Sequence, residues 1–120
     1  MKADELARGD IGLIAYPNND GSPDEIRPVL ILGIGPLGHR EDEVVVIAEI
    51  TADEDRLACP RNGDYEVPDW EEAHLNFPSL VRCRQIRSLS PALILHVLGR
   101  VGPVTLIEAQ RKAKELMRDW

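Results

Sequence analysis

Apolar stretches in this chain come in lengths of six to ten residues, and turn-forming residues stand between them. Runs this short suit strands better than helices. Ile11 to Tyr16 is the first, opened by Gly9-Asp10. Pro28 to Ile34 is the second, and its proline belongs at a strand start or on a sheet edge, because it has no N–H to give a ladder. Glu43 to Ile50 (EVVVIAEI) is apolar on both faces through its centre, as in a strand covered on both sides. Leu80 to Leu89 alternates, with Val81, Cys83 and Gln85 on one side and Arg82, Arg84 and Ser88 on the other.

Between these runs, the 18–23 segment (NNDGSP) and Gly35-Pro36-Leu37-Gly38 are rich in turn formers. Asn62-Gly63 is a dipeptide of hairpin type, followed by a short strand over Tyr65 to Val67. Pro68 to Ala73 suits one helical turn capped by Asp69. Leu93 to Val101, bracketed by Gly99 and Gly102-Pro103, reads as a last strand rather than a short helix. A helix closes the chain. Pro103 suits its first turn, and Leu106, Ala109, Ala113, Leu116 and Met117 recur at helical spacing on one face. The fold expected is α+β, mainly β: a small curled sheet or barrel with one amphipathic C-terminal helix packed on it.

The 120 residues have room for one domain, expected over 1–120. No apolar run approaches the ~20 residues needed to cross a bilayer. The first ten residues lack the apolar stretch of a signal peptide, and Cys59 and Cys83 fit neither a disulfide framework nor a zinc pattern. A reduced, cytoplasmic setting with no membrane partner is expected.

A net charge of −7 argues against a nucleic-acid partner until its distribution is examined. Residues 1–72 carry 18 acids against 6 Lys or Arg, whereas residues 73–107 hold no acid and four arginines, Arg82, Arg84, Arg87 and Arg100. An acid-free segment in an acidic chain is a local field of opposite sign. The plainer alternative is that these arginines pair with acids of the first half.

His39, His74 and His96 are far apart and lack companion ligands at metal spacing, and no phosphate-loop, dinucleotide or serine-nucleophile motif is present. Neither metal nor cofactor is expected. What remains is an arginine and a threonine at strand ends: Arg27 between a polar loop and the second run, and Thr51 closing the third. Guanidinium groups can neutralise a phosphate whose 2′-hydroxyl neighbour attacks it, and a positioned hydroxyl or arginine can assist proton transfer.

Taken in order, Gly9-Asp10-Ile11, the turn-rich loop, Arg27-Pro28-Val29-Leu30, Ile50-Thr51, Arg82-Cys83-Arg84-Gln85-Ile86-Arg87 and Leu98-Gly99-Arg100-Val101 resemble the PemK/MazF family over residues 9–118. The resemblance implies an SH3-like β-barrel of the PemK/CcdB kind with a C-terminal helix, assembled as a homodimer. It implies the toxin of a type II toxin-antitoxin pair, a metal-independent endoribonuclease that cuts single-stranded mRNA, leaves a cyclic phosphate and a 5′-hydroxyl, and is blocked by an antitoxin protein. On the same basis Arg27, Thr51 and Arg82 are the catalytic residues, and Asp10, Asn19, Arg84, Gln85 and Arg87 contact RNA. Two positions depart from the family pattern. Ala52 follows Thr51 where serine is usual and leads into Asp53-Glu54-Asp55, and Arg84 stands where several members have an acid. They keep open a non-catalytic RNA- or protein-binding module on the same barrel, or an interaction protein whose arginines bridge acids across a dimer.

Overall fold

The computed structural model describes residues 1–16, 20–35 and 43–117. Its strands are β1 (Asp10–Tyr16), β2 (Glu25–Gly35), β3 (Val44–Thr51), β4 (Asp64–Glu66), β5 (Leu80–Leu89) and β6 (His96–Arg100). Among the described residues, two helices, α1 (Glu54–Ala58) and α2 (Pro103–Glu115), accompany the strands, with short 3₁₀ turns at Ala3–Glu5 and Pro91–Leu93. The strands form one antiparallel sheet in the order β4-β5-β3-β2-β1-β6. The α+β, mainly β class holds. The sheet does not close, however: β4 and β6 end the order, and "barrel" describes it only loosely.

Period-two alternation divides the core between the two faces of the sheet. Leu30, Leu32, Ala48 and Ile50 join a cluster completed by Ala109 and Ala113 of α2. Val29, Ile31, Val45 and Ile47 face the other way, toward Leu6, Leu89 and Ile94. The third run is thus covered on both sides, as its composition requires. Burying a side chain such as Ile31 or Ile47, both with no exposed surface, contributes roughly 1.5–3 kcal/mol.

Several details depart from the sequence reading. The second strand begins at Glu25, so Pro28 lies inside β2 rather than at its start, and Arg27 is a strand residue rather than a loop edge. The proline is tolerated because β3 begins to pair with β2 only at Val29; residues 25–28 have β1 alone as a neighbour and form an edge. In β5, Ile86 opposes Ala48 but Arg82 opposes Glu49, leaving Cys83, Arg84 and Gln85 bulged with no partner in β3. Simple alternation therefore fails, and Gln85 is exposed instead of sharing a face with Val81 and Cys83.

Asn62-Gly63 does not close a hairpin. Gly63, at φ +94°, belongs to a turn in which the Asp64 N–H donates to the Arg61 carbonyl at 2.9 Å and leads into β4, whose partner is β5. The 68–73 segment does make a helical turn, the Ala73 N–H reaching the Asp69 carbonyl at 3.0 Å. The Asp69 carboxylate, though, caps a different helix. It accepts the Gly102 N–H and the Thr105 hydroxyl, each at 2.7 Å, at the start of α2, where Gly102 has no side chain to offer. Pro103 occupies the first turn of α2 as expected, whereas Met117 is 42 % exposed and lies off the buried stripe. Among the described residues, no helix is long and apolar enough to cross a membrane.

Candidate active site

The β1–β2 hairpin runs past the end of β3, and a cavity of about 760 Å³ opens beside it. Tyr16 of β1, Glu25 and Arg27 of β2, Glu49 and Thr51 of β3, Arg56 of α1 and Arg82 of β5 all line it. Leu13, Leu75, Phe77 and Leu98 supply apolar wall. Arg27, Thr51 and Arg82, 55 residues apart at their extremes, thereby reach one space because β3 lies between β2 and β5 in the sheet.

Each of these side chains has a defined local setting. Arg27 donates from Nε and Nη2 to one oxygen of Glu25, at 2.9 and 2.7 Å, and its guanidinium lies 5.1 Å from the centre of the Tyr16 ring. The Glu25 and Arg27 side chains are 56 % and 44 % exposed, a pairing worth no more than ~1 kcal/mol in water. Thr51 accepts the Asp53 N–H on its hydroxyl oxygen at 3.2 Å. Its own proton is then available to donate into the cavity. Arg82 faces Glu49 across 4.0 Å, and its Nε is buried without a hydrogen-bond partner. Opposite, Arg56 donates to both oxygens of the buried Asp64, at 2.9 and 3.0 Å.

The acidic run after Thr51 has a structural explanation. The Asp53 carboxylate accepts the backbone N–H groups of Asp55 and Arg56 and caps α1, a helix not legible in the hydropathy pattern. Tyr16 joins the site from the other side. Arg87 donates to its hydroxyl at 2.6 Å and places its guanidinium 5.1 Å from the ring centre, as Arg27 does. Burial, with a hydrogen bond to the Glu49 carboxylate, pushes the Tyr16 phenol above its usual range, while Arg87 pulls the other way.

The remaining sequence candidates lie elsewhere. Asp10 does not line the cavity. It is 4 % exposed, receives Arg100 Nε at 2.9 Å and the Ala7 N–H at 2.8 Å, and ties β1 to β6. Arg84 and Gln85 sit on the exposed β5 bulge outside the cavity lining, and Arg87 meets it only through Tyr16. Asn19 falls outside the described residues. The plainer reading of the acid-free segment holds for two of its arginines: Arg82 faces Glu49 and Arg100 pairs with Asp10, both acids of the first half. Among the described residues no group of three or more His, Cys, Asp or Glu side chains is placed to hold a metal.

The profile of PemK-like, MazF-like toxins of type II toxin-antitoxin systems matches residues 7–117. The chain belongs to the PemK/MazF toxin family. No curated protein sequence matches it. Among solved structures, the MazE–MazF complex from Deinococcus radiodurans contains a chain that is similar at TM-score 0.69 and 19 % identity, covering 92 % of this chain and 94 % of that one. Toxin MazF-mt6 of Mycobacterium tuberculosis is similar at TM-score 0.58 and 28 % identity, over 92 % of this chain and 99 % of the other. A structure described as an endoribonuclease in complex with its cognate antitoxin, from a mycobacterial species, is similar at TM-score 0.63 and 15 % identity, over 95 % and 99 %.

Within this PemK/MazF chain, sequence reasoning missed Tyr16, Glu49 and Arg56 as cavity residues. Glu49 left a signal, being the one acid embedded in the apolar stretch from Val44 to Ile50, two positions before Thr51 and so on the same strand face. Tyr16 and Arg56 left none: Tyr16 meets Arg87 across 71 positions, and Arg56 is placed by a helix the hydropathy pattern does not show and by its link to Asp64 of β4.

Proposed function

We propose that this PemK/MazF-family toxin is an endoribonuclease that cuts single-stranded mRNA without a metal ion. The observation that carries the reading is the shared cavity: Arg27, Thr51 and Arg82 line one space large enough for a nucleotide. Its chemistry is attack of a ribose 2′-hydroxyl on the adjacent phosphorus, which needs charge neutralisation at the phosphate and placement of the scissile bond. Arg27 supplies a guanidinium whose exposed link to a single oxygen of Glu25 is weak, and its planar fork matches two phosphate oxygens at once. Thr51 donates its hydroxyl to a phosphate oxygen, and Arg82, with a donor unused in the free chain, stabilises charge from the neighbouring strand.

The same reading makes the protein a cytoplasmic homodimer whose partners are single-stranded RNA and an antitoxin. It also assigns RNA contacts beyond the cavity lining to Arg84, Gln85 and Arg87, and to Asn19, whereas Asp10, buried against Arg100, stays a tie between β1 and β6. Support for the antitoxin comes from the similar folds of chains solved in MazE–MazF and endoribonuclease–antitoxin complexes. One domain over 1–120 accommodates all of it.

The experiment is cleavage of a single-stranded RNA mixture in chelator-treated buffer by wild type and Arg27→Ala. Cutting by wild type that drops by about 10²–10³-fold in the variant supports the reading. Intact RNA at every concentration refutes it. One observation favours a second reading, a module that binds without cutting: Glu25, Glu49 and Asp53 match Arg27, Arg56 and Arg82 in number along the cavity lining. Tight RNA binding with uncut product decides for that view.

A further inference from the structure

The cavity arginines cannot take a proton from an attacking hydroxyl. Guanidinium stays charged at any pH a protein tolerates, and a threonine hydroxyl is no base near neutrality. Among the described residues that line the cavity, only Glu25, Glu49 and Asp53 carry a group able to accept that proton at pH 7. Two of these are engaged by contacts the chemistry must use or the fold needs. Glu25 holds Arg27 through two hydrogen bonds and lies at the exposed mouth, so it is displaced when Arg27 turns to phosphate. Asp53 spends its carboxylate on the N-terminus of α1.

Glu49 is differently placed. Its side chain is only 13 % exposed, it sits on a rigid central strand, and it shares a strand face with Thr51 at a separation of two residues, roughly 7 Å along β3. Arg82 stands 4.0 Å from one of its oxygens, and Tyr16, whose hydroxyl accepts a hydrogen bond from Arg87 at 2.6 Å, lines the same cavity. These contacts leave carboxylate lone pairs free. The carboxylate is thus held at Arg82, on the strand face that Glu49 shares with Thr51.

We propose that Glu49 is the general base of RNA cleavage in this chain, and that Tyr16 is the positioning residue that orients it. The assignment rests on the ribonuclease reading above. The Glu49 carboxylate takes the proton of the 2′-hydroxyl as the 2′-oxygen bonds to phosphorus, and the bond from phosphorus to the 5′-oxygen breaks. The departing 5′-oxygen takes a proton from water, Glu49 later returns its own to solvent, and a 2′,3′-cyclic phosphate and a 5′-hydroxyl remain. Arg27 and Arg82 hold charge throughout and transfer no proton. The other charged and titratable groups lining the cavity around Glu49 are Tyr16 from β1, Glu25 and Arg27 from β2, Asp53 and Arg56 at α1, and Arg82 from β5. Of these, Glu25 and Asp53 are carboxylates too, so the pH profile must be read against a variant.

The test compares full-length wild type, Glu49→Gln, Glu49→Asp and Tyr16→Phe on one single-stranded RNA oligonucleotide across pH 5 to 9 with chelator present. Glu49→Gln is expected to cut about 100-fold more slowly or worse at neutral pH. It should bind the uncut RNA as tightly as wild type or more so, and lose the acid limb that wild type shows. Glu49→Asp should recover part of the rate, and Tyr16→Phe should lower the rate without abolishing the acid limb. Cutting by Glu49→Gln at or above the wild-type rate overturns the proposal and makes the carboxylate a mere screen for Arg82. Should Glu49→Gln fail to fold, Glu49→Ala with added formate takes its place, rescue supporting the assignment and failure of rescue refuting it. A wild-type chain that cuts while Arg27→Ala cuts equally well would defeat the site reading alone. A wild type that never cuts defeats the ribonuclease reading and this assignment together.

Discussion

Removing the Asp69 carboxylate isolates a contact that joins two parts of the chain more than thirty residues apart. Asp69 accepts the Gly102 N–H and the Thr105 hydroxyl, each at 2.7 Å, and Thr105 is only 3 % exposed. Asp69→Ala leaves a buried hydroxyl and a first-turn N–H of α2 without partners. A lost cap costs ~1 kcal/mol, and a buried donor left unsatisfied adds ~1–3 kcal/mol. The expected total is therefore about 2–4 kcal/mol. With an unfolding entropy near 2.1 cal/mol/K per residue, that is roughly an 8–16 °C fall in Tm for a chain of this size. The pH dependence has a definite sign. Burial opposes the charge, but the Thr105 and Gly102 hydrogen bonds outweigh it and hold the Asp69 carboxyl below the usual carboxylate range. A lowered folded value means that its share of stability is fully present above the unfolded value, ~3.9, and disappears as pH falls through the folded one. Urea denaturation of wild type and Asp69→Ala should thus show a gap at pH 7 that shrinks toward pH 3. A gap that is absent at pH 7, or that grows on acidification, refutes the reasoning.

Gly99 is expected to tolerate no side chain. A Cβ there would meet the Ala73 carbonyl oxygen at 2.1 Å, a backbone atom that cannot swing aside. Gly99→Ala should therefore lower the unfolding midpoint by at least ~2 kcal/mol in denaturant titration, and an unchanged midpoint would mean that the 68–75 segment does not lie against β6. Cys83 should resist thiol reagents in the native protein, because it has no exposed surface and burial pushes its thiol up to about 11. Cys59 is exposed, so titration with a chromogenic disulfide at pH 8 should count one thiol folded and two in urea. Two fast thiols in the native state would contradict the packing of β5 against α2.

The sequence by itself determined the strands, the final helix and part of the site. Period-two runs with turn chemistry between them can bury their apolar faces in few ways, which is why Leu80–Leu89 was legible to the residue and the apolar centre of β3 foretold cover on both sides. Arg27 and Thr51 were legible for the same local reason, as polar residues next to apolar strand segments. Tertiary structure decided what depends on partners far along the chain. Asp69 reads as a local cap, yet Gly102 leaves the first turn of α2 without a side-chain acceptor, and the fold brings Asp69 there instead. The β5 bulge is set by its register against β3, which no property of the Arg82–Arg87 segment encodes alone. Tyr16 meets Arg87 across 71 positions, and Glu49 meets Arg82 across adjacent strands, so the setting of the cavity's carboxylate appears only once the sheet is assembled. Local periodicity chooses elements because burial is a property of faces; which side chains then converge is chosen by register, which long-range pairing alone supplies.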